Sequence, residues 1–158
     1  MLGNQSTQGI MKIGLLVAAV IIVVRIVLEQ LGSPGVINFI FGVAWLYFVI
    51  PVLFALRLRT AGDAGPFKAL VKNLALFAVY TRLMVMVTYW AAYQYQWQAP
   101  RFSAAEGGNV GPDVSPLQGF LIIPVRNALI LVVLVIVLGM IIGGITLTLK
   151  KKATAPAA

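Results

Sequence analysis

The sequence predicts an all-α fold, a four-helix transmembrane bundle, and three observations support this prediction. Hydrophobic residues make up 61% of the 158 residues and charged residues only 10%, more apolar surface than a soluble domain of this length can cover. The apolar residues fall into four runs, each long enough to cross a hydrocarbon layer about 30 Å thick. The basic residues stand mostly between these runs, as the positive-inside rule requires. We therefore interpret the chain as one integral membrane domain.

The first two helices are joined by a short turn. The first is predicted over residues 8–31, where Lys12 precedes an apolar run without a small-residue cleavage site, so this helix is not interpreted as a cleaved signal peptide. Glycine, serine and proline at 32–35 predict the turn. The second helix is predicted over residues 36–58. Pro51 within it predicts a kink, because proline removes one helical hydrogen bond.

The second half of the chain predicts two longer helices around one loop. The third helix is predicted over residues 68–97, and its aromatic end is typical of a membrane interface. Residues 98–116 are rich in glycine and proline and predict an extramembrane loop. The fourth hydrophobic segment, residues 117–149, exceeds one bilayer span, so a break is predicted near Pro124, a residue suited to a first helical turn. A basic tail follows at 150–158.

The positions of the charges predict the topology. With four spans, one side of the membrane receives eight basic residues: Lys12, Arg57, Arg59, Lys68, Lys72 and the three lysines at 150–152. The other side receives the loop with Arg101, Glu106 and Asp113. We therefore expect both termini to be cytoplasmic and the loop between helices three and four to be extracytoplasmic. The predicted location is the bacterial inner (plasma) membrane, as a multi-pass protein.

Two absences limit the chemistry of the chain. It has no cysteine and no histidine, which removes thiolate nucleophiles, the commonest metal ligand and the usual proton shuttle. No carboxylate pair and no glycine-rich phosphate loop stand in the predicted helices. The sequence therefore predicts no catalytic residues, no cofactor and no metal site. The net charge of +8 is explained by membrane topology, so no nucleic-acid partner is predicted.

Arg82 is the candidate functional residue that needs the most explanation. It stands ten residues after Lys72, about 15 Å from either membrane surface. A charge at that depth requires water or a partner, and alanines on the same helical face indicate that it faces protein. Two interpretations stay open. In the first, Asn38, Thr81, tyrosine hydroxyls or carbonyls freed by Pro51 satisfy it inside the chain. In the second, it forms an anion site for a lipid phosphate, a carboxylate substrate or an acidic residue of another subunit.

Four further residues are candidate ligand or partner contacts. Arg25 has Glu29 at i+4 on the same face, Arg126 follows Pro124, and Tyr89 begins the aromatic rim. For the two arginines, anchoring at the outer interface is the simpler interpretation.

Small residues indicate where helices approach each other closely. Gly14 and Ala18 have this spacing on the first helix, and Gly139 and Gly143 have it on the fourth. We expect packing within the bundle first and oligomerisation second.

These features predict a non-catalytic integral membrane subunit that supports, assembles or regulates a larger membrane complex. Its expected partners are the lipid bilayer and either other membrane subunits or further copies of itself. The alternative is a small carrier or flippase component for an anionic or lipid-linked substrate, with the intramembrane arginines as a positive path. A carrier requires a water-accessible cavity around Arg82, which separates the two hypotheses.

Overall fold

A computed structural model describes residues 2–149 of the chain, and that part is helical with no β-strand. Its α-helices are α1 Leu2–Gln30, α2 Gly35–Ile40, α3 Leu46–Ala61, α4 Pro66–Tyr95 and α5 Ile123–Thr148. Four segments of the described chain are long and apolar enough to cross a membrane: Thr7–Gln30, Gly35–Ala61, Pro66–Tyr95 and Gln118–Thr148. The prediction of an all-α protein with four such helices is confirmed. The predicted basic tail, 150–158, lies outside the described residues.

The two middle segments form the centre of the bundle. Helices α3 and α4 contact each other, and each also contacts both α1 and α5. Between α1 and α5 no contact occurs in the part of the chain that the structure describes. Phe54 of α3 and Phe77 of α4 are therefore surrounded on all sides and are almost fully buried.

The contacts also show which connections share an end of the bundle. Arg59, near the end of α3, donates through Nη1 to the carbonyl oxygen of Leu149 at 2.7 Å. Lys12 of α1 and Lys72 of α4 line one crevice. The α3–α4 connection, the C-terminal end of the described chain and the part of α1 around Lys12 therefore lie together, at what we call the basic end. Residues 98–116 lie at the opposite end of the bundle, which we call the outer end. That this end faces the cell exterior stays a prediction.

The second segment is not the single helix predicted over residues 36–58. It is interrupted at Gly42, whose backbone is extended (φ −92°, ψ 138°), and Val43–Trp45 form a 3-10 turn before α3 begins. Glycine is a weak helix former, and a Cβ at Gly42 would lie 2.9 Å from the carbonyl oxygen of Phe39. Pro51 lies within uninterrupted α3, and a bend there stays a prediction.

The fourth segment changes helix type near Pro124, where the sequence predicts a break: α5 begins at Ile123, with Pro124 in its first turn. A π-helix over Gln118–Ile122 runs directly into α5. Pro124 has no N–H, so the carbonyls of Phe120 and Gly119 lose the donor that an α- or π-helical turn would supply. A helix at membrane depth can continue past such a proline only if other groups satisfy these carbonyls.

Two side chains from outside the fourth segment supply the missing donors. Trp90 of α4 donates through Nε1 to the carbonyl oxygen of Phe120 at 2.7 Å. Asn109 donates through Nδ2 to the carbonyl oxygen of Gly119 at 2.8 Å. The continuity of the fourth segment is thus explained by tertiary hydrogen bonds.

Candidate functional site

The side chain of Arg82 points into the bundle. Arg82 is 9% exposed, and its Nη2 donates a hydrogen bond to the hydroxyl of Tyr47 on α3. The guanidinium carbon also lies 5.1 Å from the centroid of the Tyr47 ring, within the range of a cation–π interaction. The charge near the middle of this membrane-length helix therefore meets another segment of the same chain.

The hydrogen bonds continue beyond Tyr47 into the backbone. The Tyr47 hydroxyl lies 3.3 Å from Oγ1 of Thr81, and Thr81 Oγ1 lies 2.8 Å from the carbonyl oxygen of Phe77. In this series each group donates a hydrogen bond to the next: the guanidinium to the Tyr47 hydroxyl, that hydroxyl to Thr81, and Thr81 to the carbonyl oxygen of Phe77. Hydroxyl and carbonyl dipoles thus stabilise the charge without a carboxylate. Asn38, which the sequence also suggested as a partner, bonds instead with Ser33 in the turn after α1.

A small cavity lies beside the guanidinium, between α4 and α5. Its volume is about 20 Å³, and its lining includes Arg82, Tyr89 and Asn127. The Arg82 Nε atom is buried and has no hydrogen-bond partner among residues 2–149. The cavity is large enough for one water molecule but far below the roughly 300 Å³ of a small-molecule pocket. This site can hydrate Nε, and it cannot hold an organic anion.

A second group of charges joins α1 to the outer loop. Glu29 is 3% exposed at its side chain, and its two carboxylate oxygens accept hydrogen bonds from Nε of Arg25 and Nε of Arg101, both at 2.8 Å. The Arg25–Glu29 pair follows from the i, i+4 spacing. The Arg101 partner was missed, because a loop without periodicity does not indicate which helix it meets.

Arg101 is held more tightly than a surface arginine. Burial lowers the pKa of its guanidinium, and the neighbouring Glu29 carboxylate opposes that shift. Its guanidinium carbon lies 4.3 Å from the centroid of the Phe102 ring. Two cations thus share one buried anion, and the loop is fastened to α1 at this point.

The outer loop has a small core of its own. Asn109 is fully buried, and besides Gly119 it donates to the carbonyl oxygen of Tyr89 at 2.7 Å. The Phe102 ring packs edge-on against Tyr89, with centroids 5.2 Å apart. We call residues 98–116 the outer cap. Its order depends on one buried phenylalanine and one buried asparagine, which composition alone does not distinguish from ordinary loop residues.

The remaining candidate arginine makes separate contacts. Arg126 is exposed, and both its Nε and its Nη2 lie 3.4 Å from Oδ1 of Asn127. The structure thus brings Arg25 and Glu29 together, while Arg82 and Arg126 each have other partners.

The four small residues lie where helices pack. A Cβ on Gly14 would lie 2.9 Å from the Cδ1 atom of Ile50, and Ala18 is fully buried. A Cβ on Gly139 or Gly143 would lie 2.9 or 2.8 Å from a leucine methyl group of α4. All four residues therefore have packing roles inside this chain.

Comparisons with protein-family models, with curated proteins and with solved structures found no match to this chain. Within the described residues, no group of three or more acidic, histidine or cysteine side chains could hold a metal ion. The functional argument therefore rests on the contacts of the buried charges.

Proposed function

We propose that this protein is a non-catalytic integral membrane subunit that supports, assembles or regulates a larger membrane complex in the bacterial inner membrane. The observation that carries the proposal is the contact between Arg82 and Tyr47 inside the bundle. An arginine at mid-membrane depth is a functional candidate by default. Here its hydrogen bonds join α4 to α3, so its role is to hold the bundle together.

The same observation counts against the carrier hypothesis. A carrier alternates access to a solute site, which requires a polar cavity large enough for the solute. The cavity at Arg82 has a volume of about 20 Å³. In addition, Arg25 is engaged by Glu29, so it does not extend a positive path from Arg82.

The outer cap supports a role in assembly. It is fastened to the helices by Asn109 and by the Arg101–Glu29 ion pair, so its surface is preorganised. A preorganised surface loses little conformational entropy when it binds. Glu106 and Asp113 are exposed on it and offer charges for a partner with a basic surface. We propose that this cap contacts the extracytoplasmic part of a partner.

Affinity purification of a tagged chain in mild detergent, followed by size exclusion, tests the proposal. We expect one or more membrane proteins to co-elute in a fixed ratio to the chain. Reversing the cap charges with Glu106→Lys and Asp113→Lys should weaken that association. The matched control is Asp63→Lys, an exposed acid in the α3–α4 connection, which should leave the association unchanged.

One pair of results would refute the subunit proposal. If the chain elutes alone, and proteoliposomes containing it accumulate an anionic solute at a rate that Arg82→Leu abolishes, the subunit proposal is wrong and the carrier hypothesis holds.

A further inference from the structure

A crevice at the basic end lies between α1 and α4. It has a volume of about 280 Å³ and is lined by Gln8, Met11, Lys12, Lys72, Asn73 and Leu76. The lining residues have the i, i+3 and i+4 spacings of one helical face on each side. Two lysines therefore face a common space from two different segments.

The charge of the crevice is uncompensated. Lys12 and Lys72 are exposed, and neither forms an ion pair within residues 2–149, where both ion pairs use Glu29 at the outer end. Asp63, in the α3–α4 connection, accepts a hydrogen bond from the backbone N–H of Gly65 at 2.9 Å. Two lysines that line one crevice without a carboxylate favour an anion in that crevice.

The depth of the crevice favours a lipid anion. Lys12 stands 18 residues before Gln30, the end of α1, which is about 27 Å along the helix axis. Because the hydrocarbon layer is about 30 Å thick, Lys12 lies at the headgroup level when the outer end of α1 lies at the opposite interface. Leu76 is one turn beyond Lys72 toward the membrane centre, so an apolar wall continues below the charges.

We propose that this crevice binds the phosphate group of an anionic phospholipid. Lys12 and Lys72 donate to the phosphate oxygens from two sides, and the exposed amide of Gln8 offers a further donor. The Asn73 amide already donates to the carbonyl oxygen of Ala69 at 2.8 Å, so the lysines provide the main attraction. One acyl chain lies along Leu76. Basic pockets between transmembrane helices bind phosphate headgroups in this way.

Native mass spectrometry of the purified full-length chain tests the proposal. The chain is released from nanodiscs that contain equal amounts of phosphatidylglycerol and phosphatidylcholine, and the retained lipids are counted. We expect preferential retention of phosphatidylglycerol. The variant Lys12→Gln/Lys72→Gln should lose this preference by a factor of about 20–30, because each lysine near the surface contributes roughly fivefold. Inorganic phosphate, added at millimolar concentration, should not displace the lipid.

The control variant removes the same charge from the same end of the bundle outside the crevice. Arg57→Gln/Lys68→Gln fits, since both residues are exposed and neither lines the crevice. An equal loss in both double variants would overturn the proposal, because a diffuse positive field would then explain the binding. Displacement by inorganic phosphate would also overturn it, as it indicates a free-anion site. Lipid retention is measured on the isolated chain, without a partner. The lipid proposal can therefore fail while partner association holds, and partner association can fail while the lipid proposal holds.

Discussion

Removal of one hydroxyl group from Tyr47 tests the account of Arg82. Tyr47→Phe keeps the ring under the guanidinium and deletes the acceptor for Arg82 Nη2. A hydrogen bond to a charged group contributes about 1.5–3 kcal/mol in proteins, whereas side-chain bonds in membrane bundles average about 0.6 and reach about 1.7. The Arg82 Nε already lacks a protein partner, so no replacement is at hand. We expect a loss of about 1–2 kcal/mol in the free energy of unfolding.

The measurement is unfolding in mixed micelles by titration with a denaturing detergent, or by steric trapping in bicelles. Tyr80→Phe is the matched control, because Tyr80 stands on the same helix as Arg82 but is 48% exposed on the lipid-facing surface. The same chemical change there should alter the free energy of unfolding by less than about 0.5 kcal/mol.

A double-mutant cycle separates the hydrogen bond from the packing of the tyrosine. In an Arg82→Leu background the donor is gone, so Tyr47→Phe should cost at least about 0.5 kcal/mol less than in the parent. Arg82→Leu itself should still insert, because leucine suits the hydrocarbon layer. If Tyr47→Phe has the same cost in both backgrounds, or none in either, the hydroxyl does not stabilise the charge and the reasoning is refuted.

Three further predictions concern topology, the outer cap and helix packing. A cysteine at Thr60 should be shielded from an impermeant alkylating reagent in intact cells, whereas one at Ala105 should react; the reverse pattern would invert the predicted orientation. Asn109→Leu should lower the free energy of unfolding by about 1–3 kcal/mol in micelles, because it removes two hydrogen bonds to carbonyl oxygens; a neutral result would contradict the anchoring role. Gly143→Ala should cost about 1–3 kcal/mol, since its Cβ would lie 2.8 Å from a leucine methyl group. The control Gly144→Ala, whose nearest contact is 3.7 Å, should be tolerated, and equal costs at both positions would argue against close packing at Gly143.

The sequence was sufficient for the four membrane-length helices, because hydrocarbon thickness imposes a length and an apolar composition that local sequence records. It was also sufficient for the Arg25–Glu29 pair, which depends only on helical spacing. It was not sufficient for the interruption at Gly42 or for the partner of Glu29 in the loop, Arg101. The Arg101–Glu29 pair depends on a contact between residues that are distant along the chain, and a single glycine such as Gly42 lowers helix propensity without showing that a helix is interrupted.

Pro124 shows what the rule for proline covers and what it omits. The rule places a helix start near Pro124, and α5 begins at Ile123, but it does not indicate which groups satisfy the carbonyls that lack the proline N–H. Trp90 and Asn109 satisfy them from other segments. No local pattern around Pro124 identifies these two side chains as its partners.

The buried charge at Arg82 and the missing donor at Pro124 pose the same physical problem. Each leaves polar atoms without a partner in their own helix, and in each case a side chain from a different segment supplies a hydrogen bond. The bond between Arg82 and Tyr47 is buried, so separation of α4 from α3 there leaves an unpaired buried group and carries its penalty. Arg82 in this way couples α4 to α3, and Trp90 couples α4 to the fourth segment. Hydrogen bonds between segments oppose the relative helix movements that alternating access requires. This agrees with the proposed role of an assembly subunit better than with the carrier hypothesis.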